Sequence, residues 1–394
     1  MAKAVRKKAT RKKAAAPARK APEVVHDRDA LRGPRGHEVI LDGLWRAARA
    51  DRLSHAFGFF GPAGVGKFLA ARHFAMGLFC RGEGEERPST PCGECGSCKR
   101  FLAGAHPDFH VLDPISLGLE QIPVAGLADR EGDSGKVWPS HLPSVESFLR
   151  LRAAEGGRRV VVLRDFDRAV APGQNALLKT LEEPGPDVCI LVESSSPDAL
   201  LPTVRSRVVD VPFVSLAEED AAQVLLEKDF SQEEAARWSQ WSRGAPGRAL
   251  ELKERGAEEM RRILVKAATE GSPYQAQAAW ILVENDQPGD SPARKLRAKS
   301  RLFLELGLDV LRDVTRAQSD PARASLLAHA EVLPVLLGRV QSPAGEKRLR
   351  RAIDALLVAR RDIDLNLTPE SAVERALLTL SDLAPGGAAI SPSR

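Results

Sequence analysis

The stretch FGFFGPAGVGKFLAARHF, residues 57–74, decides how the rest of the chain is read. A short apolar run, Phe57 to Phe60, leads into GPAGVGK and then into FLAARHFAMGLF, which has the composition of a helix. Residues 61–67 fit G-x-x-x-x-G-K between a predicted strand and a predicted helix, and that context reads as a phosphate-binding loop. Gly61, Gly64 and Gly66 allow positive φ, so successive amides can face a phosphate, and Lys67 would bring a point charge to its terminal oxygens. The following position should carry the Ser or Thr hydroxyl that ligates magnesium, and here it is Phe68.

The other half of a magnesium site is altered as well. A carboxylate is needed at the end of a neighbouring buried strand. The candidate strand, VVVL at 160–163, instead runs into Arg164, which puts a positive charge where the metal should sit. Asp165 follows, in the position of a base that activates water, but one methylene shorter than glutamate. Two separate losses of magnesium ligands imply that nucleotide is not hydrolysed here. The plain alternative is that residues 61–67 form only a strand-to-helix turn.

Cys80, Cys92, Cys95 and Cys98 are spaced C-x11-C-x2-C-x2-C, with glycines beside the two short steps. Such spacing lets four thiolates converge on one ion, and a four-sulfur shell with no open position points to a structural, tetrahedral Zn2+. An iron–sulfur cluster uses the same donors and is the alternative. His106 and His110 lie nearby but are expected outside a shell that is already full. Cys189, in a predicted buried strand, is expected in the core. Five cysteines, four of them clustered, suit a metal site in a reducing cytoplasm better than a disulfide framework.

The chain has 394 residues, enough for two or three domains, with 43% hydrophobic and 28% charged residues. No apolar run approaches a membrane span, and no secretory h-region follows the basic N-terminus. Residues 1–22 hold nine Lys or Arg and no acid, which leaves 49 basic against 53 acidic residues in the body. The tail has nothing to bury and is expected to be disordered. Two roles fit it, holding nucleic acid through counterion release or simply keeping the chain soluble.

Along the body, EVILDGLWRAARADRLSHA has helical spacing, and DFHVL (108–112), RRVVVLRDFD (158–167), VCILVES (188–194) and VVDVPF (208–213) contain strands. Helices are expected at 144–155, 172–184 and 197–207, and residues 113–140, rich in Gly, Pro and Asp, as a loop or insertion. Strands alternating with helices argue for a parallel sheet covered on both faces. After Phe213 only helical periodicity remains, divided here into 214–255 and 256–382, with 383–394 as a frayed tail. Thr368 and Pro369 are expected to open a helix as N-cap and first residue, with Ala372, Val373, Ala376, Leu377 and Leu380 as its apolar stripe.

Taken together, RLSHAFGFFGPAGVGK, the four-cysteine insert followed by GAHPDFHVL, NALLKTLEEP and LLPTVRSR resemble bacterial clamp-loader subunits of the AAA+ class. Phe68 and Arg164 direct the resemblance to the delta-prime branch of the DNA polymerase III clamp-loader family rather than to its ATP-hydrolysing tau/gamma branch. The likeness is densest over 36–213, resumes weakly at 243–252 and 359–380, and does not reach the basic tail. It implies an AAA+ α/β module at 23–213 carrying a zinc module at 80–98, a helical lid domain at 214–255 and an all-α collar domain at 256–382. It also implies a hetero-oligomer with tau/gamma ATPase and delta subunits, acting on a sliding clamp and primed DNA, with no ATP–magnesium turnover in this chain.

The family carries a Ser-Arg-Cys motif whose arginine reaches the ATP of the neighbouring subunit. Ser206 and Arg207 match it, and Val208 replaces the Cys, which in this reading packs rather than reacts. The resemblance thus makes Arg207 an arginine finger, with Arg205 near enough in sequence to assist. Without it, Arg207 is a surface charge after a short helix. Two other functions stand beside this one. One is an active ATPase of the same fold, distinguishable by nucleotide binding to the isolated chain. The other is a zinc-ribbon nucleic-acid binder, against which the near-neutral body counts.

Overall fold

The apolar runs at 56–60, 159–163 and 188–194 become strands in which every residue is buried. The computed structural model describes residues 28–82, 90–117, 119, 121–129, 138–139, 141–155, 157–283 and 291–384. The basic segment 1–22 lies outside them, as does most of 130–140.

Five parallel strands form one sheet: β1 (Ala56–Phe60), β2 (Phe109–Leu112), β3 (Arg159–Leu163), β4 (Val188–Ser194) and β5 (Val209–Pro212), in the order β2-β3-β4-β1-β5. Phe57 stands opposite Leu191 and Val209, and Val161 opposite Ile190 and His110. Alternation within the buried strands fills two cores. Phe57, Phe59, Val160, Val162 and Leu191 face helices Glu38–Arg49 and Lys67–Phe79. Phe60, Val161, Leu163, Ile190 and Val192 face helices Val145–Arg150 and Ala171–Glu182. Covering both faces is what makes continuous apolar runs readable as parallel strands. Cys189 is fully buried, and burial pushes its thiol up to about 12, so it is a neutral core residue.

Several elements depart from their expected bounds. The helix expected over 144–155 stops at Arg150. Beyond it the amides of Ala154 and Glu155 donate to the buried Asp108 carboxylate, at 2.7 and 3.0 Å, which pins an extended segment instead. The helix expected over 197–207 is two pieces, a 3-10 turn at Pro197–Ala199 and a helix at Pro202–Arg205. Within the expected insertion, Ile122, Leu127 and Trp138 are buried in the sheet's second core, and Val124–Leu127 is a helical turn.

The rest is helical. Helices Glu218–Leu226, Gln232–Trp241 and Pro246–Glu254 precede a bundle that includes Ala257–Glu270, Pro292–Ser319, Pro343–Asp364 and Pro369–Ser381. Gly256, at φ 68°, turns the chain between the two sets, yet one buried cluster runs through both, from Leu225 and Trp238 to Met260, Leu306 and Leu377. The apolar stripe of the last helix is buried as expected, whereas Thr368 stands at its N-cap position with no side-chain cap bond. Leu383 and Ala384, assigned to the tail by sequence, are buried as well. Among the described residues no helix is long and apolar enough to cross a membrane.

Candidate functional site: an internally filled phosphate loop and an edge arginine

The loop joins β1 to helix Lys67–Phe79 as its sequence pattern requires. Gly64 and Gly66 have φ of 78° and 104°, where a side chain would be strained. Lys67 opens the helix and is buried, with its ammonium turned back onto its own chain. Its Nζ donates to Gly61 O at 2.8 Å, Pro62 O at 2.7 Å and Ser195 Oγ at 3.0 Å. An ammonium has three donors, so these contacts use all of them. Burial lowers the Lys67 pKa, and Glu193, with its Oε1 4.0 Å away, works in the opposite direction.

The helical part sits directly on this loop. Gly247 N donates to Gly64 O at 2.8 Å, and a Cβ added to Gly64 would lie 2.1 Å from Arg248 N. His37 Nε2 donates to Val65 O at 2.9 Å. Beside the loop lies a cavity of about 680 Å³, bordered among others by Leu41, Trp45, Lys67, Phe68, Arg164 and Glu193. Two ion pairs cross its rim, Arg35 to Glu227 and Lys228 to Asp29, tying the first described segment to the end of helix Glu218–Leu226.

Phe68 and Arg164 meet beside the loop. The Arg164 guanidinium lies 4.5 Å from the Phe68 ring centroid, within cation–π range. Its Nη1 donates to Asp113 Oδ2 at 2.8 Å, and its Nε is 3.9 Å from Glu193 Oε2. Asp113 follows β2, Arg164 follows β3 and Glu193 lies near the end of β4, so three neighbouring strands converge here. Burial pushes the Glu193 carboxyl up to about 7, against the pull of Lys67 and Arg164, and its Oε2 has no hydrogen-bond partner. Asp165 has the left-handed φ of 47°, and burial raises its pKa too.

The four cysteines come together. The Sγ atoms of Cys80, Cys92, Cys95 and Cys98 lie within 4.8 Å of one another. A tetrahedron with metal–sulfur bonds of about 2.3 Å has edges of about 3.8 Å, and Cys92 Sγ and Cys98 Sγ are 3.9 Å apart. The amides of Cys92, Cys95 and Cys98 donate to Cys80, Cys92 and Cys95 sulfurs, each at 3.4 Å, an arrangement that favours thiolates. Burial pushes the Cys80 and Cys98 thiols up, whereas at Cys95 burial is outweighed by the amides of Arg81 and Cys98, which bring that thiol down to about 6, so the fit to an ion rests on the convergence of the four sulfurs. The donor set therefore fits a metal ion. His106 is engaged elsewhere, with its Nε2 2.8 Å from Ser97 Oγ and its ring stacked on Phe79, and His110 packs against Phe148.

Arg207 lies at the sheet's other edge, just before β5. Its side chain is about a third exposed. Nη1 donates to Thr203 O at 2.8 Å and to Ser206 Oγ at 3.3 Å, while Nη2 is 2.6 Å from Glu182 Oε1. Arg205 points back to Asp210 at 2.9 Å and over the Phe60 ring. Val208 is buried. Among the described residues no hydrogen bond or ion pair joins Arg207 to the phosphate loop. Sequence reasoning singled out Lys67, Phe68 and Arg164 but not Asp113, Ser195, Glu193 or Glu182. Of these only Glu193 carried a signal, as an acid near the end of the apolar run VCILVES.

Residues 36–217 match the family described as "DNA polymerase III, delta subunit". The chain is 31% identical over 192 residues to the DNA polymerase III subunit delta' of Bacillus subtilis, covering 49% of this chain and 52% of that one. It is 33% identical over 219 residues to the subunit delta' of Pseudomonas aeruginosa, covering 54% and 60%. It is also 30% identical over 190 residues to the subunit tau/gamma of Haemophilus influenzae, covering 48% and 24%. The chain thus spans between half and two thirds of the delta' relatives' length. Over the matched segment it is delta-prime-like.

Proposed function

We propose that this chain is a non-hydrolysing subunit of a bacterial DNA polymerase III clamp loader. In this reading it sits in the cytoplasm beside tau/gamma-type and delta-type subunits and helps load the sliding clamp onto primed DNA. Its own phosphate loop holds no catalytic magnesium. Its contribution to chemistry is Arg207, presented with Ser206 to the nucleotide of a neighbouring ATPase, where a guanidinium would neutralise charge building on the transferred phosphoryl group. Cys80, Cys92, Cys95 and Cys98 hold a structural zinc that fixes the segment between helix Lys67–Phe79 and β2.

One contrast carries the reading. The two cations at the relict loop, Lys67 and Arg164, are engaged by oxygens and an aromatic ring of their own chain. Arg207, about as exposed as Arg164, is held by Thr203 O and Ser206 Oγ and pairs with one half-exposed carboxylate, Glu182. A pocket whose cations are already neutralised by largely buried carboxylates offers little to a triphosphate, and a guanidinium at a sheet edge whose carboxylate partner is half exposed can exchange that partner for a phosphate arriving from outside.

The test is reconstitution with the tau/gamma-type ATPase and delta-type subunit of the same cell. The assembled complex hydrolyses ATP, and the isolated chain does not. Arg207→Ala leaves the fold and assembly intact and slows hydrolysis by the complex. Magnesium-dependent turnover by the isolated chain would overturn the non-hydrolysing part of the reading, and an unchanged rate in the Arg207→Ala complex would overturn the finger.

A further inference from the structure

We infer that Glu182 occupies Arg207 in the free subunit as a stand-in for phosphate, and that it gives way when a neighbour's nucleotide arrives. This rests on the reading of Arg207 as a finger and adds to it a control element within the same chain.

Glu182 is the last residue of helix Ala171–Glu182, and Glu183 follows it. Two carboxylates at a helix C-terminus face the negative end of the helix dipole, where cations are favoured and anions are not. The local compensation for Glu182 is Arg207, 2.6 Å away across the gap between two elements. Ser206 and Thr203 hold the opposite nitrogen of the same guanidinium. The arginine is therefore already oriented, with one of its two terminal nitrogens given to an anion. Because both partners are partly exposed, the pair is weak enough to exchange.

A phosphate oxygen approaching Arg207 competes with the Glu182 carboxylate for the same N–H groups and is repelled by its charge. Docking of the neighbouring nucleotide is then an exchange of one anion for another on a guanidinium that barely moves. In the free subunit the carboxylate also keeps Arg207 from binding stray phosphates. Glu182 is a positioning residue in this scheme: it touches Arg207 and never the reacting atoms.

Glu182→Gln keeps the shape and a hydrogen-bond acceptor and removes the competing charge. In the reconstituted complex, with ATP as the probe, the KM for ATP is expected to fall by about two- to five-fold, the range of an exposed ion pair, with kcat unchanged. That split marks a change in binding shared by ground and transition states. The effect should shrink as salt is raised and disappear in an Arg207→Ala background. A KM that stays the same or rises, or a fall that persists without Arg207, overturns the inference while leaving the finger standing. A complex indifferent to Arg207→Ala removes the finger reading and this inference with it.

Discussion

Arg164 and Arg207 both flank strands of one sheet, and their surroundings give them opposite capacities. Arg164 follows β3 and is caught between the Asp113 carboxylate, Glu193 and the face of Phe68. Arg207 precedes β5 at the sheet edge and, with the same overall exposure as Arg164, pairs with a single half-exposed carboxylate. A guanidinium surrounded by its own chain's anions is a structural cation. One whose single carboxylate partner is half exposed can exchange that partner for another molecule's anion. The difference lies in where along the strand order each arginine falls: β3 is interior and flanked by strands that end in acids, whereas β5 has a neighbour on only one side.

The sharpest way to break the comparison is at Arg207. Arg207→Ala is expected to slow ATP hydrolysis by the reconstituted complex roughly 10³-fold, the scale of arginine fingers supplied in trans, with the melting temperature of the isolated chain unchanged. A steady-state rate within twofold of wild type would make the two arginines alike after all.

Arg164→Ala should show the reverse pattern. Removing it leaves Asp113 without its cation and the buried Glu193 with Lys67 alone, and the isolated chain should lose about 2 kcal/mol in urea unfolding. That is below the usual cost of breaking a buried pair because Arg164 is itself about a third exposed. ATP hydrolysis by the complex should stay near wild type wherever the variant is folded. A large loss of rate from folded Arg164→Ala would mean that the pocket beside the glycine loop takes part in chemistry.

Glu193 gives the same contrast a pH signature. Its carboxyl is pushed from 4.5 up to about 7 in the folded chain, chiefly by burial. An acid with a raised folded pKa keeps a proton that the unfolded chain releases, so stability falls as pH climbs from about 4.5 towards 7 and stays lower above that. Glu193→Gln cannot ionise and should flatten this slope. It should be more stable than wild type by up to about 3 kcal/mol at pH 8, the full value of the shift, and nearly equal to it at pH 4. Equal urea midpoints at both pH values would show that Lys67 and Arg164 hold the carboxylate charged after all.

How much of this was legible in the sequence follows from how local each feature is. The glycine loop, the cysteine spacing and the Phe68 substitution lie within runs of a few residues, and their chemistry can be read directly. The buried strands were legible because coverage on both faces leaves no polar alternation to blur them. The internal pairing of the loop's cations was not legible. It needs Asp113 from one strand end, Glu193 and Ser195 from another, and Gly247 from the helical part, and no spacing rule links these positions. The misjudged helix at 144–155 fails for the same reason: Asp108, remote in sequence, captures the amides that would have continued it. Glu182 lay in plain view in NALLKTLEEP, but only the fold puts it beside Arg207.

The smallest expected effect comes from the substitution that looks most like a repair. Phe68→Thr returns the hydroxyl that a magnesium ion would use, yet it leaves the Arg164 guanidinium in the same space, still held by Asp113 and close to Glu193. A divalent ion would have to displace a cation that already neutralises the carboxylates it needs, and Lys67 would have to leave three oxygen partners to reach a phosphate. The variant is therefore expected to bind ATP with magnesium no better than wild type by calorimetry, with a small stability loss from the missing cation–π contact. If the hydroxyl alone restored binding, the side chain at position 68 would be the lock, and Arg164 would be no more committed to its pocket than Arg207 is to its edge.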